Sequence, residues 1–331
     1  MKPRIGIIPG DPSGIGPELI AKLLSDESVT DQADILLIGD AHLFEMGQRQ
    51  ADSSFSLTPC DARTSDWTEL PGFAHHAQDT IDADDVNIAA VTIASGKSAL
   101  ANLNTALELA RDGIIDAITF GPFNKAALKE AGLGHEDELH YIAEFLGVEN
   151  YVSELNTLDG IWTSRVSSHI SLKEVPNYIT KERINEAVYL IDRTLKRSGM
   201  ARPRLSVAAL NPHAGDNGNF GTEEIDIIAP AVQALQAQQV NLDGPWPSDT
   251  VFLKAKAKEV DGIITMYHDQ GMIPVKMANK GTAVNVTIGL PIIRTSVDHG
   301  TAFDIAGKNC ASSESLELAT QSAAQFTKPI H

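Results

Sequence analysis

Residues 4–18 read RIGIIPGDPSGIGPE, and this stretch decides the fold class. Its first part, residues 4–9, is a short run rich in β-forming residues, which predicts a buried strand that ends at Gly10. Pro17 then opens the helical stretch ELIAKLLSD at the position that proline favours in a helix. A strand that passes through a Gly/Pro-rich turn into a helix is the repeating unit of parallel α/β folds.

The same alternation continues outward along the chain. Further strands are predicted at residues 34–38, 117–121, 205–210, 261–267 and 284–288, and helices at 95–112, 184–196, 222–236 and 315–325. Helices placed between successive strands indicate an α/β architecture with a largely parallel sheet. A chain of 331 residues exceeds one typical core, so we expect two domains or one large α/β unit.

The charge and composition of the chain indicate which classes of binding partner to expect. The formal net charge is -18, and an acidic surface repels nucleic-acid phosphates and anionic lipids. No segment approaches the roughly 18 to 20 apolar residues that cross a bilayer, and the N-terminus does not resemble a signal peptide. Cys60 and Cys310 have no CxxC spacing and indicate reduced thiols. We therefore expect a cytoplasmic protein with no nucleic-acid or membrane partner, although a few clustered cations could still bind a small anionic substrate.

Three histidines share one sequence context. His169, His213 and His268 each follow an apolar, strand-like run, in TSRVSSHISL, SVAALNPHAGD and IITMYHDQG. Ligands collect at the carboxyl ends of strands in parallel sheets, so three imidazoles delivered there can converge on one divalent ion. Three protein ligands would leave positions open for a substrate, which is typical of a catalytic metal site.

The residues alone leave two interpretations of these histidines open. Asn211 and Asp269 lie beside them in the sequence, and imidazoles at metal sites usually donate their second N–H to such groups. This pairing favours a shared metal site. The alternative is three unrelated loop histidines, because a loop histidine taken singly is more often structural than a ligand.

Two further segments indicate binding. The turn at residues 10–18 can bring backbone N–H groups to an anion, although it matches neither GxGxxG nor a phosphate loop, and a plain tight turn explains it equally well. In the C-terminal third, Lys276, Asn285 and Arg294 offer groups that suit a carboxylate or a phosphate. The small residues within 294–300 suit the close approach of a cofactor. For any one of these residues, ordinary surface polarity is the alternative.

These motifs resemble the 4-hydroxythreonine-4-phosphate dehydrogenase (PdxA) family of vitamin B6 biosynthesis. The shared segments run in the family's order across nearly the whole chain: GDPSGIGPE, GPFNKAAL, LNPHAG, GTEEID, YHDQG and GLPIIRTSVDHGTA. The resemblance implies two α/β/α domains around a cleft, as in isocitrate and isopropylmalate dehydrogenases, and not a Rossmann fold. We expect one domain at residues 1–125 plus 300–331, and a second, with the metal and dimer-interface residues, at 126–299.

The resemblance also implies a role for each matching residue. It makes a metal site, shared between the two partners of a homodimer, from His169, His213 and His268. It assigns substrate binding to His135, Lys276, Asn285 and Arg294. The candidates for moving the catalytic proton are Lys276 and Asp249. The residues expected beside a nicotinamide cofactor are Gly14, Thr295, Asp298 and Gly300.

The implied reaction is oxidation of a 3-hydroxy acid, such as 4-phosphohydroxy-L-threonine, by NAD or NADP, followed by decarboxylation, with Zn, Mg, Co or Mn. The sequence departs from the family at residues 134–137, which read Gly-His-Glu-Asp in place of Gly-His-Thr-Glu. Glu136 puts a carboxylate where a hydroxyl is usual, and it would repel a phosphate ester. Residues 276–285 also lack the family's usual Gly-Phe-Gly-Arg-Gly-like stretch.

These departures leave the substrate open. One alternative is a catabolic paralogue that acts on 4-phospho-threonate, 4-phospho-erythronate or a carboxylated cis-dihydrodiol. An alternative of another class is a non-catalytic ligand-binding protein that keeps the fold.

Overall fold

The computed structural model describes residues 2–135, 137–149, 152–158, 161–278 and 284–327. The chain divides into two compact units, each described here by itself. Unit 1 comprises Met1–Val152 and Val284–Lys328, and unit 2 comprises Ser153–Ala283.

Strands and helices alternate along both units. The strands are β1 (Arg4–Ile8), β2 (Asp34–Gly39), β3 (Leu57–Cys60), β4 (Phe73–Ala77), β5 (Ala117–Phe120), β6 (Ser153–Leu158), β7 (Ile161–Arg165), β8 (Leu205–Ala208), β9 (Leu242–Trp246), β10 (Gly262–Thr265), β11 (Val284–Ile288) and β12 (Ile293–Val297). The α-helices are α1 (Gly16–Leu23), α2 (Glu27–Thr30), α3 (Ala41–Ala51), α4 (Ile93–Arg111), α5 (Lys125–Glu130), α6 (Glu138–Phe145), α7 (Val175–Tyr178), α8 (Lys181–Arg197), α9 (Ala229–Ala237), α10 (Ser248–Lys256), α11 (His268–Ala278) and α12 (Glu314–Phe326). None of the helices within the described ranges combines the length and the apolar character that crossing a bilayer requires.

The sheet of unit 1 has the strand order β3-β4-β2-β1-β5-β12-β11. Neighbouring strands are parallel, except for the antiparallel pair β11 and β12. Strand β1 lies inside this sheet, and Ile5, Ile7 and Ile8 have no exposed surface. A strand that is buried on both faces shows a continuous apolar run, which is why residues 4–9 were recognisable in the sequence.

Unit 1 extends past both predicted domain boundaries, because residues 126–152 and 284–299 belong to it. Strand β12 pairs in parallel with β5, with Arg294 opposite Ile118. Helix α5 packs against α4. The predicted boundaries at 125/126 and 299/300 therefore differ from the division at 152/153 and 283/284, since backbone pairing across a sheet leaves no local mark in the sequence.

The sheet of unit 2 has the strand order β6-β7-β10-β8-β9. Strands β7, β10, β8 and β9 are parallel neighbours, whereas β6 is antiparallel to β7. One of its cores joins α10 to the sheet through Val251 and Ala255, which pack with Ala208, Val260 and Ile263. The α/β class and the largely parallel strands predicted from the sequence are confirmed.

Candidate active site

The three predicted metal histidines all follow parallel strands of unit 2. His169 comes shortly after β7, His213 after β8, and His268 after β10. The strand order places β10 between β7 and β8, so the three carboxyl ends are adjacent at one edge of the sheet. This edge is where α/β folds bind their ligands.

His169 and His268 lie close together at this edge. Their ring centroids are 5.3 Å apart, with an angle of 41° between the ring planes. The Nδ1 atom of His268 lies 2.7 Å from the Oδ1 atom of Asp269, a bond in which the ring N–H donates to the carboxylate. That bond leaves Nε2 of His268 as the acceptor nitrogen, which is the arrangement that metal-binding imidazoles adopt.

Hydrogen bonds tie the three strand ends to one another. Ser167, after β7, donates from both its N and its Oγ to the carbonyl of Met266, after β10. The buried side chain of Gln270 accepts from the N–H of Met266 at 2.6 Å and donates to the carbonyl of Ala209, after β8, at 2.7 Å. Because buried, fully bonded polar networks are rigid, the loops that carry the histidines share one framework.

His213 begins a left-handed turn. The φ angles of residues 213–217 are 53, 53, 80, 42 and 56°, so five consecutive residues lie in the left-handed region. Gly215 accepts this conformation without cost, and Asp and Asn residues tolerate it, but at Ala214 it costs roughly 1 to 2 kcal/mol. Strain of this kind persists only where the surroundings hold it, and it concentrates at functional sites.

Glu224 is the group that holds this turn. It is 3% exposed, and its Oε1 accepts from the N–H groups of Leu210 and Asn211, both at 2.8 Å. A Cβ added to Gly215 would lie 2.7 Å from Oε2 of Glu224, so only glycine fits there without a shift. The GTEEID motif therefore contributes a buried carboxylate that fixes the end of β8 and the start of the turn.

Asn211 does not serve as the partner of His213. Its side-chain amide donates to Glu223 at 2.6 Å and to Glu224 at 3.0 Å. The ring of His213 instead lies near Phe220, with centroids 6.1 Å apart. The structure thus pairs His268 with Asp269, whereas the amide nitrogen of Asn211 is bonded to the carboxylates of the GTEEID motif.

Within the described ranges, no set of three His, Cys, Asp or Glu side chains is arranged to hold one ion. The structure brings the rings of His169 and His268 within 5.3 Å of each other, with His213 after the neighbouring strand β8. The donor chemistry fits zinc and similar divalent metals, since both rings can offer a nitrogen lone pair. The three-histidine ligand set stays a prediction.

The two candidates for moving a proton also belong to unit 2. Asp249 is exposed in the first turn of α10. It directly follows Ser248, whose hydroxyl bonds to Gln270 at 2.7 Å and to the carbonyl of Ala209 at 2.9 Å. The backbone beside Asp249 is therefore fixed by the same hydrogen bonds that connect the strand ends carrying the histidines. Lys276 is exposed in the last turn of α11, the helix that begins at His268.

In unit 1, the Gly/Pro-rich loop after β1 meets the loop after β12. The N–H of Ile15 donates to the carbonyl of Thr301 at 3.1 Å. A Cβ on Gly14 would lie 2.9 Å from both the Cβ and the carbonyl oxygen of Thr301, so the absence of a side chain permits this approach. Two segments expected beside the nicotinamide, around Gly14 and around Gly300, are therefore in contact.

Asp11 is the buried acid of this loop, at 1% exposure. Its Oδ1 accepts from the N–H of Ser13 at 2.8 Å, whereas its buried Oδ2 has no hydrogen-bond partner among the described residues. Burial raises the pKa of Asp11 to about 6, against the opposing effect of the Ser13 N–H. Sequence reasoning did not single out this residue.

The residues after Arg294 are a strand rather than a cofactor loop. Thr295 lies in β12, has no exposed surface, and bonds through its hydroxyl to Thr119 on β5 at 2.8 Å. Its side chain stabilises the sheet, and the expectation that it lines a cofactor loop does not match this position. Asp298 is partly buried and Gly300 is exposed, both just beyond the strand.

Arg294 is almost fully buried, at 1% exposure. Its Nη1 donates to Thr287 Oγ1 at 2.8 Å, its Nη2 donates to Glu138 Oε1 at 3.1 Å, and its guanidinium lies 4.4 Å from the ring centroid of Phe120. Asn285 lies in β11, opposite Ser296. His135 is partly buried, with Nε2 3.0 Å from Glu144 Oε2. Glu136 lies outside the described residues.

The strongest positioning residues were missed by sequence reasoning: Ser167, Gln270 and Glu224. Gln270 and Glu224 belong to the YHDQG and GTEEID motifs, so a signal for two of them was present. Their partners are backbone groups on other strands, which no local pattern identifies.

Comparisons with known proteins show which family shares this fold. The family model described as "Pyridoxal phosphate biosynthetic protein PdxA" matches residues 31–323. A Pseudomonas aeruginosa relative named "Putative 4-hydroxythreonine-4-phosphate dehydrogenase 2" is 48% identical over 93% of this chain and 92% of its own. An Oceanobacillus iheyensis relative named "Putative D-threonate 4-phosphate dehydrogenase" is 38% identical over 98% of both chains.

A solved structure shows the same architecture. The crystal structure of 4-hydroxythreonine-4-phosphate dehydrogenase from Klebsiella pneumoniae aligns with a TM-score of 0.86 at 34% identity, and it covers 99% of this chain and 100% of that one. The predicted resemblance is confirmed by the family model, the relatives and this structure together. The chain belongs to the family of the pyridoxal phosphate biosynthetic protein PdxA.

Proposed function

We propose that this chain oxidises the secondary alcohol of a 3-hydroxy acid, with NAD or NADP and a divalent metal, and that the keto acid formed then loses carbon dioxide. One observation carries the proposal. His169 and His268 lie together at adjacent parallel strand ends, and Asp269 orients the ring of His268. Such oriented imidazoles at this edge suit a catalytic metal.

The enzyme class follows from the family. Family members are named dehydrogenases, and the chain is an oxidoreductase acting on a CH–OH group. The non-catalytic alternative lacks support, because the candidate metal, proton-transfer and arginine residues are all retained. A cytoplasmic location stays a prediction.

The metal would be held by His169 and His268, with a third ligand completing the set. In this proposal a second copy of the chain supplies that ligand, since the described residues bring two of the three histidines into contact. The active unit is then a homodimer with shared sites. A bound divalent ion supplies Lewis acidity at the substrate's alcohol oxygen and at the carbonyl that replaces it.

The chain's own side chains would move the proton and orient the substrate. Lys276 or Asp249 would take the proton of the substrate's hydroxyl, and a bound nicotinamide would serve as the hydride acceptor. Asn285, His135 and Lys276 would bind the anionic substrate. The cofactor would lie against the loops of Gly14 and Thr301, which a backbone hydrogen bond from Ile15 to Thr301 joins.

The names of relatives supply the first substrates to examine. One is 4-phosphohydroxy-L-threonine, and the other is D-threonate 4-phosphate, which corresponds to the catabolic alternative. A carboxylated cis-dihydrodiol is a further candidate from the same reaction class.

A substrate panel tests the proposal. Purified protein is incubated with each 3-hydroxy acid, with NAD or NADP, and with Zn, Mg, Co or Mn, while the absorbance of reduced nicotinamide is recorded. We expect turnover that a chelator abolishes and added metal restores. Turnover that survives complete chelation would contradict the metal dependence. If no substrate in the panel yields reduced nicotinamide, the proposed dehydrogenase activity is contradicted.

A further inference from the structure

The loop that joins β12 to α12 is bonded near both of its ends to α1 and the residue that precedes it. Near the first end, the N–H of Ile15 donates to the carbonyl of Thr301 at 3.1 Å. Near the second end, the N–H of Ala311 donates to Oε1 of Glu18 at 3.0 Å, and the ammonium of Lys22 donates to the carbonyl of Ala311 at 2.7 Å. The segment between these two points is therefore fixed at both sides to one helix of unit 1.

Glu18 and Lys22 form an ion pair that bonds to both backbone groups of Ala311. Nζ of Lys22 lies 2.9 Å from Oε1 of Glu18, and the exposed fractions of the two side chains are 23% and 0%. The second oxygen of Glu18, Oε2, is buried and has no hydrogen-bond partner among the described residues. Because a buried carboxylate is stable only beside a counter-charge, Lys22 balances Glu18 while both bond to the loop.

The segment between the two fixed points, residues 302–310, has few contacts of its own. The N–H of Ile305 donates to the carbonyl of Ala302, and the N–H of Lys308 donates to the carbonyl of Ile305. Apart from Ala306, its residues are exposed or half-buried. Since a segment with little buried surface opens easily, its conformation depends on the bonds at its ends.

We infer that Glu18 and Lys22 are positioning residues for the nicotinamide cofactor: through Ala311 they hold residues 302–310 in the conformation that binds it. This inference rests on the proposed function, which places the cofactor against this loop. Both side chains act through the loop backbone and not by touching the cofactor. A loop that is already ordered loses less conformational entropy when a ligand binds, so the ion pair raises the affinity for the cofactor.

The test compares the wild type with Lys22→Met and with the double variant Glu18→Gln/Lys22→Met. Lys22→Met removes the donor to the carbonyl of Ala311 but leaves the carboxylate of Glu18 without its counter-charge. The double variant removes the same donor and leaves no unpaired buried charge, so it separates the loss of the loop contact from the cost of a buried charge.

Two quantities are measured on the whole chain without substrate. Calorimetry gives the affinity for NAD and for NADP, and we expect it to fall by at least about 10-fold in both variants. Mass spectrometry gives the hydrogen exchange of the amides of residues 302–310, which should become at least about 10-fold faster in both. In turnover, the KM for the cofactor should rise by the same factor while kcat and the KM for the substrate change by less than about 2-fold.

Two control variants accompany these measurements. Lys196→Met breaks another i,i+4 ion pair with a buried acid, since Lys196 lies 2.7 Å from Asp192, whose side chain is 7% exposed, in α8 of unit 2. It should leave the cofactor affinity and the exchange of the loop unchanged. Lys22→Arg keeps a cation that can donate to both Glu18 and Ala311, so it should stay close to the wild type.

Three results would overturn the inference while leaving the dehydrogenase proposal intact. The first is loop exchange that stays slow in both test variants, and the second is faster exchange with unchanged cofactor affinity. The third is an equal loss of affinity in Lys196→Met, which would assign the effect to the charge of the chain. If the wild type itself binds neither NAD nor NADP, the proposed function is contradicted and the inference is overturned with it.

Discussion

The loop after β1 in unit 1 and the turn after β8 in unit 2 reach rigidity by opposite means. Both follow a buried parallel strand, and both carry predicted site residues. The loop of unit 1 is fixed by close approach, because Gly14 lets the backbone lie against Thr301. The turn of unit 2 is left-handed from His213 onward and is held by the buried carboxylate of Glu224. The loop that follows a parallel strand can therefore be fixed in two ways. A glycine can let two backbone segments approach closely, or a buried carboxylate can accept hydrogen bonds from the backbone.

The largest effect is expected from removing the carboxylate of Glu224, which accepts hydrogen bonds at the end of β8. Glu224→Ala leaves the N–H groups of Leu210 and Asn211 without a partner and opens a void, so we expect a loss of about 3 to 5 kcal/mol in the free energy of unfolding. Urea titration measures it, and the affinity for a divalent metal should fall as well. Glu223→Gln is the control, because among the described residues Glu223 bonds to the side chain of Asn211 and to no backbone N–H of this segment. A loss as large for the control would show that Glu224 does not hold the turn.

The next effect is the pH dependence set by Asp11. Its pKa is about 6 in the folded chain, against 3.8 when unperturbed. The folded state therefore keeps a proton that the unfolded state has released, and stability falls as pH rises from about 4 to 6. Between pH 4 and 8, wild type should lose up to about 3 kcal/mol more than Asp11→Asn.

Asp61→Asn serves as a comparison, because the contribution of Asp61 to stability changes with pH in the opposite direction. The exposed carboxylate of Asp61 accepts from the N–H of Arg63, which lowers its pKa. Stability from this group is present at neutral pH and is lost as pH falls, so the wild type should lose it on acidification while Asp61→Asn does not. If the free energy of unfolding varied with pH identically in the wild type and in Asp11→Asn, the raised pKa of Asp11 would be contradicted.

Close approach in unit 1 is tested by Gly14→Ala. The new Cβ meets Thr301 at 2.9 Å, and we expect about 2 kcal/mol of destabilisation together with weaker NAD or NADP binding. Gly300→Ala is the matched control in the second loop, because nothing lies within 4 Å of its added Cβ. Thermal unfolding should place that control within about 0.5 kcal/mol of wild type, and an unchanged Gly14→Ala would refute the close approach.

The smallest expected effect relieves strain. Ala214 has a φ of 53° within the left-handed turn, so Ala214→Gly should stabilise the chain by about 1 kcal/mol in urea titration. Ala99→Gly, at a buried position in the middle of α4, should destabilise by a similar or larger amount. A destabilising Ala214→Gly would indicate that the turn is not strained.

Local sequence signals predicted the fold where burial is continuous. The runs that became β1, β2 and β5 were recognisable because parallel strands buried on both faces are apolar throughout. Strand β12 was not, since it buries Arg294, Thr295 and Ser296. Arg294 is stable there because Thr287 and Glu138 accept from it, and Thr295 because it bonds to Thr119. Glu138 and Thr119 are distant from β12 in sequence.

The sequence predicted which residues belong to the candidate site better than it predicted how they are arranged. Strand-end context singled out His169, His213 and His268, and the strand order places all three at one edge. The left-handed turn at His213 was not predicted, because alanine, aspartate and asparagine in that turn are ordinary loop residues. The segment predicted as one helix at 222–236 instead begins with a π-helical turn at Glu224–Ile228, which lets Glu224 reach back to β8.

The most direct test of the central claim is a calorimetric titration of Zn²⁺ into metal-free wild type, His169→Ala and His268→Ala. If these two histidines hold a divalent ion, each variant should lose at least about 100-fold in affinity relative to wild type. His140→Ala is the control, because His140 pairs with Asp137 in unit 1, and it should bind zinc as wild type does. Wild-type affinity in both His169→Ala and His268→Ala would contradict the account.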